Sequence, residues 1–132
     1  MAQVVFQQGE DIIIELAVIE NSVPVNLSTN TSIRVQLLVT QNNVKSKLYS
    51  YSSNSKTGYG VCRIKTGTGN ENIVQVLVTR AESVNFVSGA LSFAVVATLP
   101  GGSDFPNGIN KEYNFDNFGT IQDGVAKDEI IP

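Results

Sequence analysis

Residues 12–19 read IIIELAVI, and this stretch decides the fold class. Apolar residues occupy every even position from Ile12 to Val18, which places them on one side of an extended chain. Glu15 lies among the residues of the opposite side, which indicates that this side is partly solvated. The alternation therefore predicts a β-strand with one face in a hydrophobic core.

The same period of two recurs along the chain between turn-forming stretches rich in Asn, Ser and Gly. The further strand candidates are residues 33–39, 48–51, 61–65, 73–79 and 91–98. Thr79 and Glu82 have the spacing of a capping box on one short helical turn. About seven or eight short strands predict an all-β, Ig-like antiparallel β-sandwich, with a β-barrel as the alternative fold.

Composition predicts one domain and excludes several classes of partner. A chain of 132 residues is typical of a single domain, and no internal repeat divides it. Residues 1–122 are predicted to form the sandwich, followed by a carboxy-terminal tail over residues 123–132. The net charge of −3 without a basic run argues against nucleic acid, and no apolar run is long enough to span a membrane. The first residues lack the basic and apolar regions of a signal peptide, so synthesis in a cytoplasm is expected.

The sequence lacks the residues of common catalytic centres. It contains no histidine, which removes the usual proton shuttle and the Ser-His-acid arrangement. The lone Cys62 lies in a strand-like run and is expected to be a buried apolar residue. The adjacent Glu10 and Asp11 would point to opposite sides of a strand. We therefore expect a protein that is not an enzyme and that uses no cofactor and no metal.

An asparagine-rich, aromatic segment follows Gly102 and is loop-like in composition. One interpretation is a last strand, with Tyr113 and Phe115 facing the core. A second is an exposed, partly apolar surface that docks onto a neighbouring subunit, and a third is a sugar-stacking platform at Tyr113 or Phe118. The candidate interface residues are Phe105, Ile109, Tyr113, Phe115, Phe118, Ile130 and Ile131.

Three short motifs resemble a known group of proteins. Residues 6–11 (FQQGED), the strand after them and residues 23–28 (VPVNLS) resemble the opening of β-sandwich domains in tailed-phage virion proteins, such as the amino-terminal domain of phage upper baseplate proteins. Residues 86–93 (FVSGALSF) are similar to the penultimate strand of those domains. The resemblance covers residues 4–99 and departs from the pattern at Asn21-Ser22, where a turn glycine is commoner. The asparagine-rich composition also resembles that of virion proteins of crAss-like phages.

The resemblance implies a non-enzymatic bacteriophage structural protein located in the virion. The implied role is a capsid decoration or head-fibre component that docks onto capsid or tail subunits and forms a homo-oligomer. A baseplate or tail adaptor and a carbohydrate-binding or adhesin module remain the alternatives.

Overall fold

The computed structural model describes residues 4–28, 32–54 and 56–124. These residues form ten strands and one helical turn. The strands are β1 (Val4–Gln7), β2 (Ile12–Ala17), β3 (Ile19–Glu20), β4 (Val23–Pro24), β5 (Ser32–Gln41), β6 (Val44–Ser52), β7 (Gly60–Ile64), β8 (Ile73–Val78), β9 (Gly89–Gly101) and β10 (Phe105–Gln122). The helical turn α1 (Arg80–Ser83) connects β8 to β9.

Eight strands form one hydrogen-bonded sheet in the order β1-β10-β9-β5-β6-β7-β8-β2, and β3 and β4 form a separate two-stranded sheet. The long sheet folds between β6 and β7 into two layers, β1-β10-β9-β5-β6 and β7-β8-β2, whose buried side chains share one core. A short parallel contact, in which Tyr51 is opposite Gly60, links β6 to β7 at the margin between the layers. All other neighbours are antiparallel except β1 and β10. This strand order is that of an Ig-like β-sandwich, and the predicted fold class is confirmed.

Alternation along the strands places the core between the layers. Ile14, Leu16 and Val18 are buried, whereas Ile13 and Glu15 are exposed, as the period of two predicts. Apolar side chains of the facing layer, among them Phe93 and Val95 of β9, belong to the same buried cluster. The two layers therefore share one hydrophobic core.

The buried side chain of Gln8, near the first described residue, forms a hydrogen bond with Gly124, the last described residue. Gln8 is 2% exposed, and its Nε2 donates to the carbonyl of Phe86 at 2.7 Å. Its Oε1 accepts a hydrogen bond from the N–H of Gly124 at 3.1 Å. We call Gln8, Phe86 and Gly124 the terminal latch. Because each polar atom is satisfied, the amide can be buried without a large penalty.

The turn after Gln8 is fixed to α1 by further hydrogen bonds. Gly9 has a φ of 87°, a conformation that favours glycine, and its N–H donates to Ser83 Oγ at 3.1 Å. Ser83 Oγ in turn donates to the carbonyl of Glu10 at 2.8 Å, and Asp11 Oδ1 accepts from the N–H of Arg80 at 2.6 Å. Gly9, Glu10 and Asp11, which belong to the FQQGED motif of residues 6–11, therefore have a structural role: they hold the first turn against α1.

The segment after Gly102 is loop-like in composition but forms a strand. β10 is an 18-residue strand that pairs with β9, which matches the interpretation of a last strand. Two register shifts, between Phe105 and Ile109 and between Phe115 and Gly119, accommodate residues that ordinarily interrupt strands. β10 ends at Gln122, and Gly124 is buried in the terminal latch. The predicted tail otherwise falls on residues 125–132, outside the described residues.

Candidate interaction surface

The β9–β10 hairpin extends beyond its neighbours. β5 pairs with β9 only as far as Thr98, and β1 pairs with β10 only from Gly119 onward. Within the described residues, the tip of the hairpin is therefore two-stranded. The outer edge of β10 before Gly119 has no paired strand among the residues that the structure describes. This edge presents backbone donors and acceptors to a partner.

Two of the predicted interface residues lie near the tip of this hairpin. Phe105 is 57% exposed, and it begins β10 opposite Gly101. Ile109 is half-buried opposite Leu99. An exposed phenylalanine at the end of a projecting hairpin is a suitable anchor for a protein contact, because aromatic side chains supply large contact areas.

Three other predicted residues belong to the rim of the core. Tyr113 and Phe115 lie opposite Val95 and Phe93 of β9 and are half-buried. Phe118 contacts Phe93 edge-to-face, with ring centroids 5.7 Å apart, and contacts Phe115 in the same way at 5.8 Å. These rings support the fold at the edge of the sandwich, so neither Tyr113 nor Phe118 presents a fully open face for stacking a sugar.

The local backbone explains why Phe118 faces inward. Asn117 has a φ of 51° within the second register shift, and its N–H donates to Ser92 Oγ at 3.2 Å. This irregularity adds residues to β10 without a matching residue on β9, which turns Phe118 toward Phe93. The remaining predicted pair, Ile130 and Ile131, lies outside the described residues.

A polar cluster on the edge of β10 was not predicted from the sequence. Glu20, from the β3–β4 hairpin, lies 3.4 Å from Lys111 Nζ and accepts a hydrogen bond from the Tyr113 hydroxyl at 3.4 Å. Burial and the charge of Glu20 raise the pKa of Tyr113 above its ordinary value. The cluster ties the β3–β4 hairpin to β10, so the core-facing side of this edge is partly covered, while its tip remains accessible.

No candidate metal site accompanies this surface in the part of the chain that the structure describes. Among residues 4–28, 32–54 and 56–124, no three His, Cys, Asp or Glu side chains are grouped so that they could hold a metal ion. In the same part of the chain, no helix has the length and apolar character needed to cross a bilayer. The surface offers backbone edges and an aromatic tip, which are features suited to protein contacts.

Cys62 is buried, as the sequence predicted, and its thiol is expected to be unreactive in the folded protein. It is 1% exposed, and burial raises its pKa to about 12. A thiol reagent at pH 8 should modify Cys62 only after unfolding in urea, because the thiolate is the reactive form. Fast modification without denaturant would contradict the buried position.

The same shift predicts a dependence of stability on pH. The pKa of Cys62 is higher in the folded protein, at about 12, than the value of about 8.5 expected in the unfolded chain. Because the thiol loses its proton at a lower pH in the unfolded chain than in the folded protein, its ionisation favours the unfolded state. The free energy of unfolding is therefore unaffected by Cys62 below pH about 8.5 and falls as the pH rises from there toward about 12. Urea unfolding of the wild type and of Cys62→Ala between pH 8 and pH 10 should show a steeper loss for the wild type.

The comparisons with known proteins do not assign the chain to a family. No family model matches it, and no curated protein matches it. Among solved structures the chain is similar to murine CRIg, with 9% identity over 92% of this chain and 91% of that chain and a TM-score of 0.40. A likeness at this level carries no argument about function, and the fold described above rests on the strand pairing of the chain itself.

Proposed function

We propose that this protein is a non-catalytic structural module of a bacteriophage particle, a capsid decoration or head-fibre component that docks onto other virion subunits. The observation that carries the proposal is the projecting β9–β10 hairpin, with its unpaired edge and the exposed Phe105. The motifs that resemble virion β-sandwich domains supply the assignment to a phage.

The chemistry of the hairpin favours a polypeptide as the partner. A strand edge binds another extended chain through main-chain hydrogen bonds, and side chains beside it select the partner. Lys111 and Glu20 already neutralise one another on this edge, so a strand docking there meets no isolated charge from this pair. Phe105 supplies an apolar anchor at one end of the same edge.

Co-sedimentation with purified phage particles tests this function. The labelled protein should bind particles or isolated capsids, and Phe105→Ser should weaken binding by about tenfold or more, as expected for an aromatic anchor at an interface. Val44→Ser is the matched control, because Val44 is 62% exposed and lies on the separate β5–β6 hairpin. Val44→Ser should bind like the wild type.

Two results would contradict the proposal. One is a protein that associates with neither capsid nor tail components under any condition that keeps particles intact. The other is glycan-array binding that disappears in Tyr113→Ala and Phe118→Ala while thermal melts show that both variants fold, which would favour a carbohydrate-binding module instead.

A further inference from the structure

A second unpaired strand edge lies in the other layer of the sandwich. β2 pairs with β8 on one side and ends the strand order on the other, within the residues that the structure describes. The pairing is continuous over all six residues, from Ile12 opposite Val78 to Ala17 opposite Ile73. β2 is therefore a regular edge strand whose outward backbone groups have no partner strand in the described chain.

This edge has few of the features by which proteins ordinarily block edge pairing, since its one charged residue, Glu15, is paired with Lys65. The sequence of β2, IIIELA, contains no lysine, proline or glycine, and its register has no bulge. By contrast, the edge of β6 carries Lys45 and Lys47. Lysines thus discourage pairing at the β6 edge, whereas β2 carries none.

The solvent-facing side of β2, β8 and β7 carries two rows of residues that lie opposite one another across the strands. One row is apolar, and in the next row the charge of Glu15 is neutralised by a lysine. Ile13, Leu77 and Val61 lie opposite one another across β2, β8 and β7, and Ile13 and Val61 are 52% and 55% exposed. In the next row, Glu15 accepts hydrogen bonds from Gln75 at 2.9 Å and from Lys65 at 3.2 Å. A partner strand at this edge would therefore meet an apolar row and a carboxylate that already has a cationic partner.

We infer that the β2 edge pairs with β2 of a second copy of this chain, antiparallel about a twofold axis at Ile14. A closed twofold dimer requires a patch that is complementary to itself, and two antiparallel copies of one edge satisfy this condition. The two three-stranded layers become one six-stranded sheet. This inference concerns a different layer from the β9–β10 hairpin and does not rest on the proposed function.

The choice of Ile14 as the centre follows from strand geometry and charge. Residues opposite each other in a sheet share a face, so a strand that pairs with its own copy has one residue opposite itself. Centring on Glu15 would bring two carboxylates together, and centring on Ile13 would place Asp11 opposite Glu15. Centring on Ile14 places Ile13 opposite Glu15 and avoids both repulsions.

This register brings the two Ile13 side chains together diagonally. They lie about 7–8 Å apart at Cα, within contact distance for long side chains. In each copy, Leu77 and Val61 extend the apolar surface behind Ile13. The contact buries apolar surface of Ile13 that is exposed in the single chain, which favours association.

The oligomeric state of the full chain tests the inference. Sedimentation equilibrium should show a dimer, and Ile13→Glu should raise the dissociation constant about a hundredfold, because each introduced carboxylate then lies directly opposite Glu15 of the other copy. Val44→Glu is the matched control, since Val44 is an exposed apolar residue on another strand. The control should leave the dissociation constant unchanged, and thermal melts should show that both variants fold.

Cross-linking tests the register independently of affinity. A mixture of Ile13→Cys and Glu15→Cys chains should form a disulfide-linked dimer under mild oxidation, because these positions are directly opposite each other. Neither variant alone should cross-link, since diagonal positions exceed the reach of a disulfide. Cys62 does not compete, because it is buried.

Three results would overturn the inference. They are a monomer at concentrations up to about 1 mM, a dimer that Ile13→Glu does not weaken, and cross-linking of either cysteine variant by itself.

Discussion

Replacing Leu16 by alanine is expected to lower the free energy of unfolding by about 2–5 kcal/mol. Leu16 is fully buried and lies opposite Val74 within the shared core. The substitution removes apolar contacts and leaves a cavity between the two layers. Small movements of the surrounding side chains cannot fill this cavity, because the core is closely packed. Urea unfolding followed by circular dichroism measures the loss.

Glu15→Ala is the matched control for this prediction. Glu15 is the preceding residue and faces solvent, where it contacts Lys65 and Gln75. Loss of such an exposed ion pair costs little stability, because water and salt screen the two charges. If the two variants lose equal, small amounts of stability, the strand register of β2 is wrong.

Replacing Gln8 by leucine is expected to cost about 2–4 kcal/mol although the side chain keeps nearly the same volume. The substitution leaves the carbonyl of Phe86 and the N–H of Gly124 buried without their partner. An unsatisfied buried group costs about 1–3 kcal/mol, and two groups are affected. Gln8→Ala should cost at least as much, because it also removes packing.

Gln7→Leu provides the control for the latch, because Gln7 is the exposed neighbour of Gln8 on the same strand. Its effect on stability should stay within about 0.5 kcal/mol. Hydrogen exchange at Gly124 should accelerate in Gln8→Leu and stay unchanged in Gln7→Leu. A stable Gln8→Leu variant would show that the latch contributes little to folding.

The strands could be predicted from the sequence where their side chains alternate. Ile14, Leu16 and Val18 repeat with a period of two, and this local signal survives without knowledge of any neighbour. The capping box at Thr79 is equally local, and the Thr79 N–H donates to Glu82 Oε1 at 3.3 Å. Features of this kind depend on residues a few positions apart.

The length and register of β10 could not be predicted in the same way. Its Asn, Gly and Pro residues have low strand propensity, and the strand forms because β9 offers a long pairing edge. The latch and the Glu20–Lys111 contact join residues 78 to 116 positions apart in the sequence. Such contacts depend on the tertiary fold. Alternation along the last strand placed Tyr113 and Phe115 toward the core, but the inward position of Phe118 depends on a register shift that the sequence does not show.

The parallel pairing of β1 and β10 has a mechanical consequence. Val4 lies opposite Gly119 and Gln7 lies opposite Gln122, so the chain enters at one end of this pair and leaves at the other. Tension applied through the two ends slides the strands past each other and loads their four residue pairs together. Rupture then requires several hydrogen bonds to break at once, which makes the domain resistant to stretching along its length.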